Sequence, residues 1–124
     1  MLYERFLNSV AITSVDYEAL INTLRHISIH LKNQYREVKD VSLFGSFARG
    51  DYTPDSDVDI LIICEHTDIP FLLRPDQYIR RFSHIPFDIN IIVYTQEEID
   101  RLRKEKYPFL LQVDKEAHSL LKES

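Results

Sequence analysis

The chain has 124 residues, of which 44% are apolar and 28% charged, the balance of a folded globular protein and not of a disordered or fibrous one. Its formal net charge of −5 argues against a role in gripping a nucleic-acid backbone, which calls for an excess of Lys and Arg. No apolar run approaches the roughly 18 residues that cross a bilayer, and Met1-Leu2-Tyr3-Glu4-Arg5 lacks the basic and apolar regions of a signal peptide. The only cysteine, Cys64, lies in the apolar run Ile62-Ile63-Cys64 and reads as a small buried hydrophobe, so the expectation is one domain over 1–124 in a reducing cytoplasm.

From Tyr17, the residues Leu20, Ile21, Leu24, Ile27 and Leu31 recur at helical spacing and predict a long amphipathic helix, with Asn22, Arg25, Lys32 and Asn33 on its polar face. Val38 to Phe44 reads as a strand that runs straight into Gly45-Ser46. Val58 to Cys64, dense in Val, Ile and Leu, reads as a buried strand with Asp57 and Asp59 at its head. Thr67 to Pro75 reads as irregular. Pro75 then suits the first turn of a helix whose apolar face is Tyr78, Ile79 and Phe82, beside Arg80 and Arg81. Phe87 to Tyr94 predicts a third strand in which Phe87, Ile89, Ile91 and Val93 share one face and Asp88, Asn90 and Ile92 the other. Thr95 and Glu98 form a capping box at the head of a further helix. Pro108 interrupts it, and Phe109, Leu110, Val113, Ala117, Leu120 and Leu121 describe a final amphipathic helix. Helices alternating with strands predict an α/β layer fold.

The informative segment runs from Gly45 to Asp59. It holds both glycines of the chain, although ordinary usage near 7% would give about nine. A chain so poor in glycine that spends both within one short stretch has a backbone need there: a positive φ, or close approach of a ligand to main-chain N–H groups, as in an anion-binding nest. A triphosphate is the natural guest. Two familiar motifs fail against this segment. Gly45 to Gly50 has P-loop glycine spacing, but Asp51-Tyr52 stands where Lys and Ser or Thr are required. Asp55, Asp57 and Asp59 imitate a calcium loop, but Ile60 replaces its glycine and His66 its bidentate Glu.

What remains is Gly-Ser, ten residues, then Asp-x-Asp at the head of a buried strand. Residues two apart on a strand point the same way, so Asp57 and Asp59 project side by side, and Asp88 meets them if its strand is the neighbour. At about 4 Å and an effective dielectric near 20, each such pair of charges repels by about 4 kcal/mol, so the cluster must take protons or cations. Oxygen-only ligands of this hardness suit Mg²⁺ or Mn²⁺.

On Gly45-Ser46, Asp57-x-Asp59 and Asp88, the chain resembles the nucleotidyltransferase superfamily that includes DNA polymerase beta, and most closely its minimal single-domain prokaryotic members, the MNT-type antitoxins. The resemblance implies the nucleotidyltransferase fold, an α/β (α+β) arrangement with a small mixed sheet of three or slightly more strands packed with helices. It further implies that Gly45 and Ser46 hold the β- and γ-phosphates, and that Asp57 and Asp59 coordinate two Mg²⁺ (or Mn²⁺) ions. Asp88 completes the metal site beside the attacking hydroxyl and is the nearest base. Arg49 is a further nucleotide-binding candidate, with pairing to a nearby aspartate as its rival role. Asp51 and Asp55 read as loop charges, and the five histidines show no ligand spacing.

The activity so implied is transfer of a nucleoside monophosphate, AMP from ATP, onto a hydroxyl of a partner protein. By the same resemblance that partner is a HEPN-type toxin with a tyrosine as acceptor, and the chain is the antitoxin of the pair. Two other readings stay open: a non-catalytic nucleotide-binding module that masks its partner, and a small-molecule nucleotidyltransferase acting as a homodimer.

Overall fold

The structure is a computed structural model that describes residues 1–7 and 10–122. It opens with strands β1 (Leu2–Leu7) and β2 (Val10–Val15), an antiparallel pair that the hydrophobic pattern does not announce. Helix α1 (Tyr17–Gln34) follows, N-capped by the Asp16 carboxylate, which accepts from the Ala19 N–H at 3.1 Å. Its predicted stripe is real: Leu20, Leu24 and Leu31 are fully buried and Ile21 and Ile27 flank them, half-buried.

Strands β3 (Val38–Phe44) and β4 (Val58–Cys64) have the limits read from the sequence, and β5 (Ile89–Thr95) starts two residues later than Phe87. With the two-residue β6 (His118–Ser119) they form a mixed four-stranded sheet in the order β5-β4-β3-β6. Strands β4 and β5 are parallel, and the other pairs are antiparallel.

The parallel pair needs a crossover, and the segment between β4 and β5 differs from the reading above. In place of irregular chain and then an α-helix from Pro75, it forms two 3₁₀ turns, Phe71–Gln77 and Ile79–Phe82. Pro75 lies inside the first turn, where its missing N–H and the restriction it places on Arg74 keep Phe71–Gln77 from α geometry. The turns still bury Tyr78, Phe82 and Ile85 against the sheet and leave Arg80 and Arg81 exposed. Arg74 is buried, donating to the carbonyls of Ile69 and Val93 and to Glu98 Oε1 at 2.6 Å. That guanidinium holds the Glu98 carboxyl below the usual glutamate range. Glu98 in turn accepts from the Thr95 N–H at 2.8 Å while its own N–H donates to Thr95 Oγ1, the capping box that begins α3 (Gln96–Lys104).

Pro108 opens α4 (Pro108–Glu116) at a position where its missing N–H costs nothing. The expected continuation of this helix to Leu121 is not observed. It ends at Glu116 because Ala117 turns extended and the chain pairs with the free edge of β3, His118 against Leu43 and Ser119 against Ser42. Asp40 bridges the two strands, accepting from Ser42 Oγ and Ser119 Oγ at 2.7 Å each.

Alternation along β4 sorts the sheet into two faces. Val58, Ile60, Ile62 and Cys64 pack toward α1 in the main core, with Val41, Leu43, Ile91 and Val93. Leu61 belongs to a smaller cluster with Phe44 and Val113, bordered by Ile92 and Phe109, beneath α4. Asp59 has the parity of Leu61, so the candidate site lies on the α4 face, at the end of the sheet where β3 finishes and β4 and β5 begin. Among the described residues no helix is long and apolar enough to cross a membrane.

Candidate active site

Strand β3 delivers the chain into Gly45, whose backbone (φ 77°, ψ −158°) lies in a region that only glycine visits without strain. A one-turn helix, α2 (Ser46–Arg49), follows, and Gly50 (φ 93°, ψ 4°) closes it with a bond from its N–H to the Ser46 carbonyl. Both glycines thus occupy positive φ. Their surroundings differ: a β-carbon on Gly45 would overlap the Asp59 carboxylate, whereas one on Gly50 would meet open space. Ser46 is half-buried and its hydroxyl bonds to no described residue.

Aromatic packing holds this loop. Phe47 is fully buried, stacks on Tyr52 at 4.8 Å and meets Phe87 edge-on at 5.0 Å, and its carbonyl accepts from Tyr17 Oη at 2.9 Å. A turn over Thr53-Pro54-Asp55-Ser56, closed by the Ser56 N–H donating to the Thr53 carbonyl and the Thr53 N–H donating to Ser56 Oγ, then returns the chain to Asp57.

Asp57 and Asp59 stand side by side at the head of β4, the first exposed and the second half-buried. The parallel register sets Asn90 of β5 against Asp59, and the Asn90 amide nitrogen donates to both Asp57 Oδ2 (3.0 Å) and Asp59 Oδ1 (3.1 Å). Burial pushes the Asp59 carboxyl up, the Asn90 hydrogen bond pulls it down, and the Asp57 charge pushes it up again.

Asp88, the expected third ligand, lies beside Asp57 and outside the Asn90 bridge. It is exposed, one residue before β5, its carbonyl accepts from the Val58 N–H at 2.8 Å, and it borders a shallow adjoining cleft with Asp55, Ser56 and Asp57. Among the described residues no group of three His, Cys, Asp or Glu side chains is arranged to hold a metal ion. The position between the paired carboxylates belongs to an amide. Asn90→Asp is therefore expected to lower the thermal midpoint in chelator, by losing two hydrogen bonds and adding a like charge. It should also enlarge the rise in midpoint that Mn²⁺ produces; a rise no larger than in the parent chain would count against the assignment of this position.

Helix α4 forms the opposite wall of a cleft of about 350 Å³ lined by Gly45, Ser46, Arg49, Asp57, Asp59 and, from α4, Phe109, Gln112 and Glu116. Arg49 is pinned twice, its Nε to Asp51 Oδ2 at 3.1 Å and its Nη1 to Glu116 Oε2 at 2.9 Å. The other Glu116 oxygen accepts from the Gly45 N–H at 3.4 Å. The sequence reading foresaw neither Glu116 nor the bridging role of Asn90. Glu116 partners residues far away in the chain, whereas Asn90 was already on the correct face of its predicted strand.

A strand running into a glycine turn, with paired aspartates on the next strand facing it across a polar cleft, is an arrangement for holding a phosphorylated ligand against cations. The family profile of the nucleotidyltransferase domain matches residues 24–119. The chain belongs to the nucleotidyltransferase domain family. Among relatives of this nucleotidyltransferase, a provisionally assigned protein adenylyltransferase of Methanocaldococcus jannaschii is 43% identical over 68 residues, 54% of this chain and 65% of the relative's own length. The match thus spans slightly less than two thirds of that relative. Among solved structures, a provisionally assigned nucleotidyltransferase from Sulfolobus solfataricus superposes with a TM-score of 0.56 at 27% identity, over 68% of this chain and 75% of its own. A toxin-antitoxin complex with AMP-PNP superposes with a TM-score of 0.53 over 86% of this chain and 73% of that one; at 20% identity it speaks for the fold alone.

Proposed function

We propose that this nucleotidyltransferase moves AMP from ATP onto a side-chain hydroxyl of a partner protein. The observation that carries the reading is the pair Asp57 and Asp59 facing the Gly45-Ser46 turn across one cleft. Support for adenylate and for a protein acceptor comes from the M. jannaschii relative's name. A HEPN-type toxin with an acceptor tyrosine, the chain acting as antitoxin in the cytoplasm, follows from the resemblance set out above.

Asp57 and Asp59 offer adjacent hard oxygen donors, the type that Mg²⁺ and Mn²⁺ take, and the nucleotide's phosphates would add to them. When bound, two such ions supply charge neutralisation on the phosphates and a more acidic acceptor hydroxyl. The Gly45-Ser46 turn holds the β- and γ-phosphates through main-chain N–H groups other than the one given to Glu116 and through the Ser46 hydroxyl, and Arg49 adds charge beside them. The acceptor oxygen forms its bond to the α-phosphorus as the bond to pyrophosphate breaks, and Asp88, in the adjoining cleft beside Asp57, takes the hydroxyl proton. Positioning and charge compensation do most of the work.

The test incubates the full chain and the product of the neighbouring gene with α-labelled ATP. The expected result is label on the partner and release of pyrophosphate with Mg²⁺, both abolished by EDTA. Intact ATP with no labelled protein would overturn the reading.

One feature favours the second reading, a nucleotide-binding module that masks its partner: an amide, not a third carboxylate, lies between Asp57 and Asp59. Neutralisation of the partner that survives joint Asp57→Asn and Asp59→Asn replacement undiminished would select it.

A further inference from the structure

Glu116 is an odd residue for its place. It is the last residue of α4, and a carboxylate at a helix C-terminus opposes the helix dipole. Its side chain is nonetheless only 8% exposed, so its charge has been taken largely out of water. Both costs are offset by the same two partners, the Arg49 guanidinium and the Gly45 N–H, which belong to the loop proposed to hold the nucleotide's phosphates.

The arrangement of Arg49 says what this contact does. A guanidinium has five N–H donors in one plane. Asp51 takes the Nε–H from one side and Glu116 takes an Nη1–H from the other, which fixes the plane while the Nη2 edge bonds to no described residue. Arg49 lines the same cleft as Ser46, Asp57 and Asp59. An unanchored arginine at such a site would lose side-chain freedom on meeting a phosphate; one clamped between two carboxylates has lost it already.

We infer that Glu116 is a positioning residue for nucleotide binding: through its clamp on Arg49 and Gly45 it docks α4 onto the phosphate loop and presents the free edge of the guanidinium to the triphosphate. The inference rests on the nucleotide site proposed above. It also gives α4 a task in the reaction beyond covering the sheet.

A double-mutant cycle read by calorimetric MgATP binding tests it. Glu116→Ala is expected to weaken MgATP about tenfold in the parent chain and by less than about twofold in an Arg49→Ala background, because the two residues act as one unit. Glu116→Gln, which keeps the packing, is expected to fall between parent and Glu116→Ala, and guards against a loss caused by misfolding. Equal losses in both backgrounds, no loss, or tighter binding would each overturn the inference; tighter binding would mean that Glu116 competes with phosphate for the same donors. Failure of the parent chain itself to bind MgATP would instead remove the nucleotide site on which the inference stands.

Discussion

Asp59→Asn is expected to abolish the proposed adenylyl transfer, by about a hundredfold to a thousandfold or more, while leaving the fold intact. The substitution keeps the shape of the side chain but removes a charge at the point where β4, β5 and the Gly45 turn converge. Without that charge the site keeps only Asp57 as an adjacent anionic donor, and a single carboxylate binds hard cations weakly. Stability should move the other way. In the absence of metal, Asp59 feels burial together with the like charges of Asp57 and Glu116, all of which raise its carboxyl. Removing its charge relieves that cost, so the thermal midpoint in chelator is expected to be unchanged or higher. Label transfer and a melting curve on the same preparation check both halves. A variant that retains most of its transfer rate would dismiss Asp59 as a metal ligand, and one that loses activity only because it unfolds would leave the residue a structural role.

Gly45→Ala is expected to cause the second large loss, and by a different route. Alanine at φ 77° and ψ −158° carries backbone strain of about 1–3 kcal/mol. Its methyl would also occupy the space of the Asp59 carboxylate. Either the turn or the aspartate must move, and a displacement of about 1 Å at a positioned group is enough to cost about a hundredfold in rate. Gly50 provides the internal control. Its φ of 93° makes alanine strained there as well, but nothing lies within 4 Å of the added carbon. Gly50→Ala should therefore share the stability loss and keep most of the activity. Comparable activity losses at both glycines would show that backbone strain alone, and not the approach of Gly45 to Asp59, governs the site.

The parts of this molecule that the sequence announces are those whose causes are local. Val58–Cys64 was legible because a buried strand demands a dense run of β-branched and apolar residues, and Val38–Phe44 because its apolar residues run straight into the Gly45-Ser46 turn. Gly45 and Gly50 were legible because a chain with two glycines places them where positive φ is required. The Thr95–Glu98 capping box was legible because both partners lie within one turn of each other. Features set by distant partners were not. β6 has two residues and no periodicity of its own, so the amphipathic pattern around it passed for helix. The ion pair between Glu116 and Arg49 spans 67 positions in sequence. Asp88 and Asn90 share the parity of one strand, and only the register with β4 decides which of them touches Asp59.

The site is also unevenly spread along the chain. Its glycine turn and paired aspartates come from consecutive strands, but the wall that closes the cleft belongs to α4, whose Glu116 reaches the Gly45 N–H across 71 positions. Contacts of such long range are the slow ones to form, since loop closure must be achieved before they return any stabilisation. The cleft is thus complete only when α4 has docked against the paired β3 and β4. A chain with a correctly paired sheet but an undocked α4 would have its aspartates in place and no enclosed pocket, so transfer activity reports completion of the fold more stringently than secondary structure does.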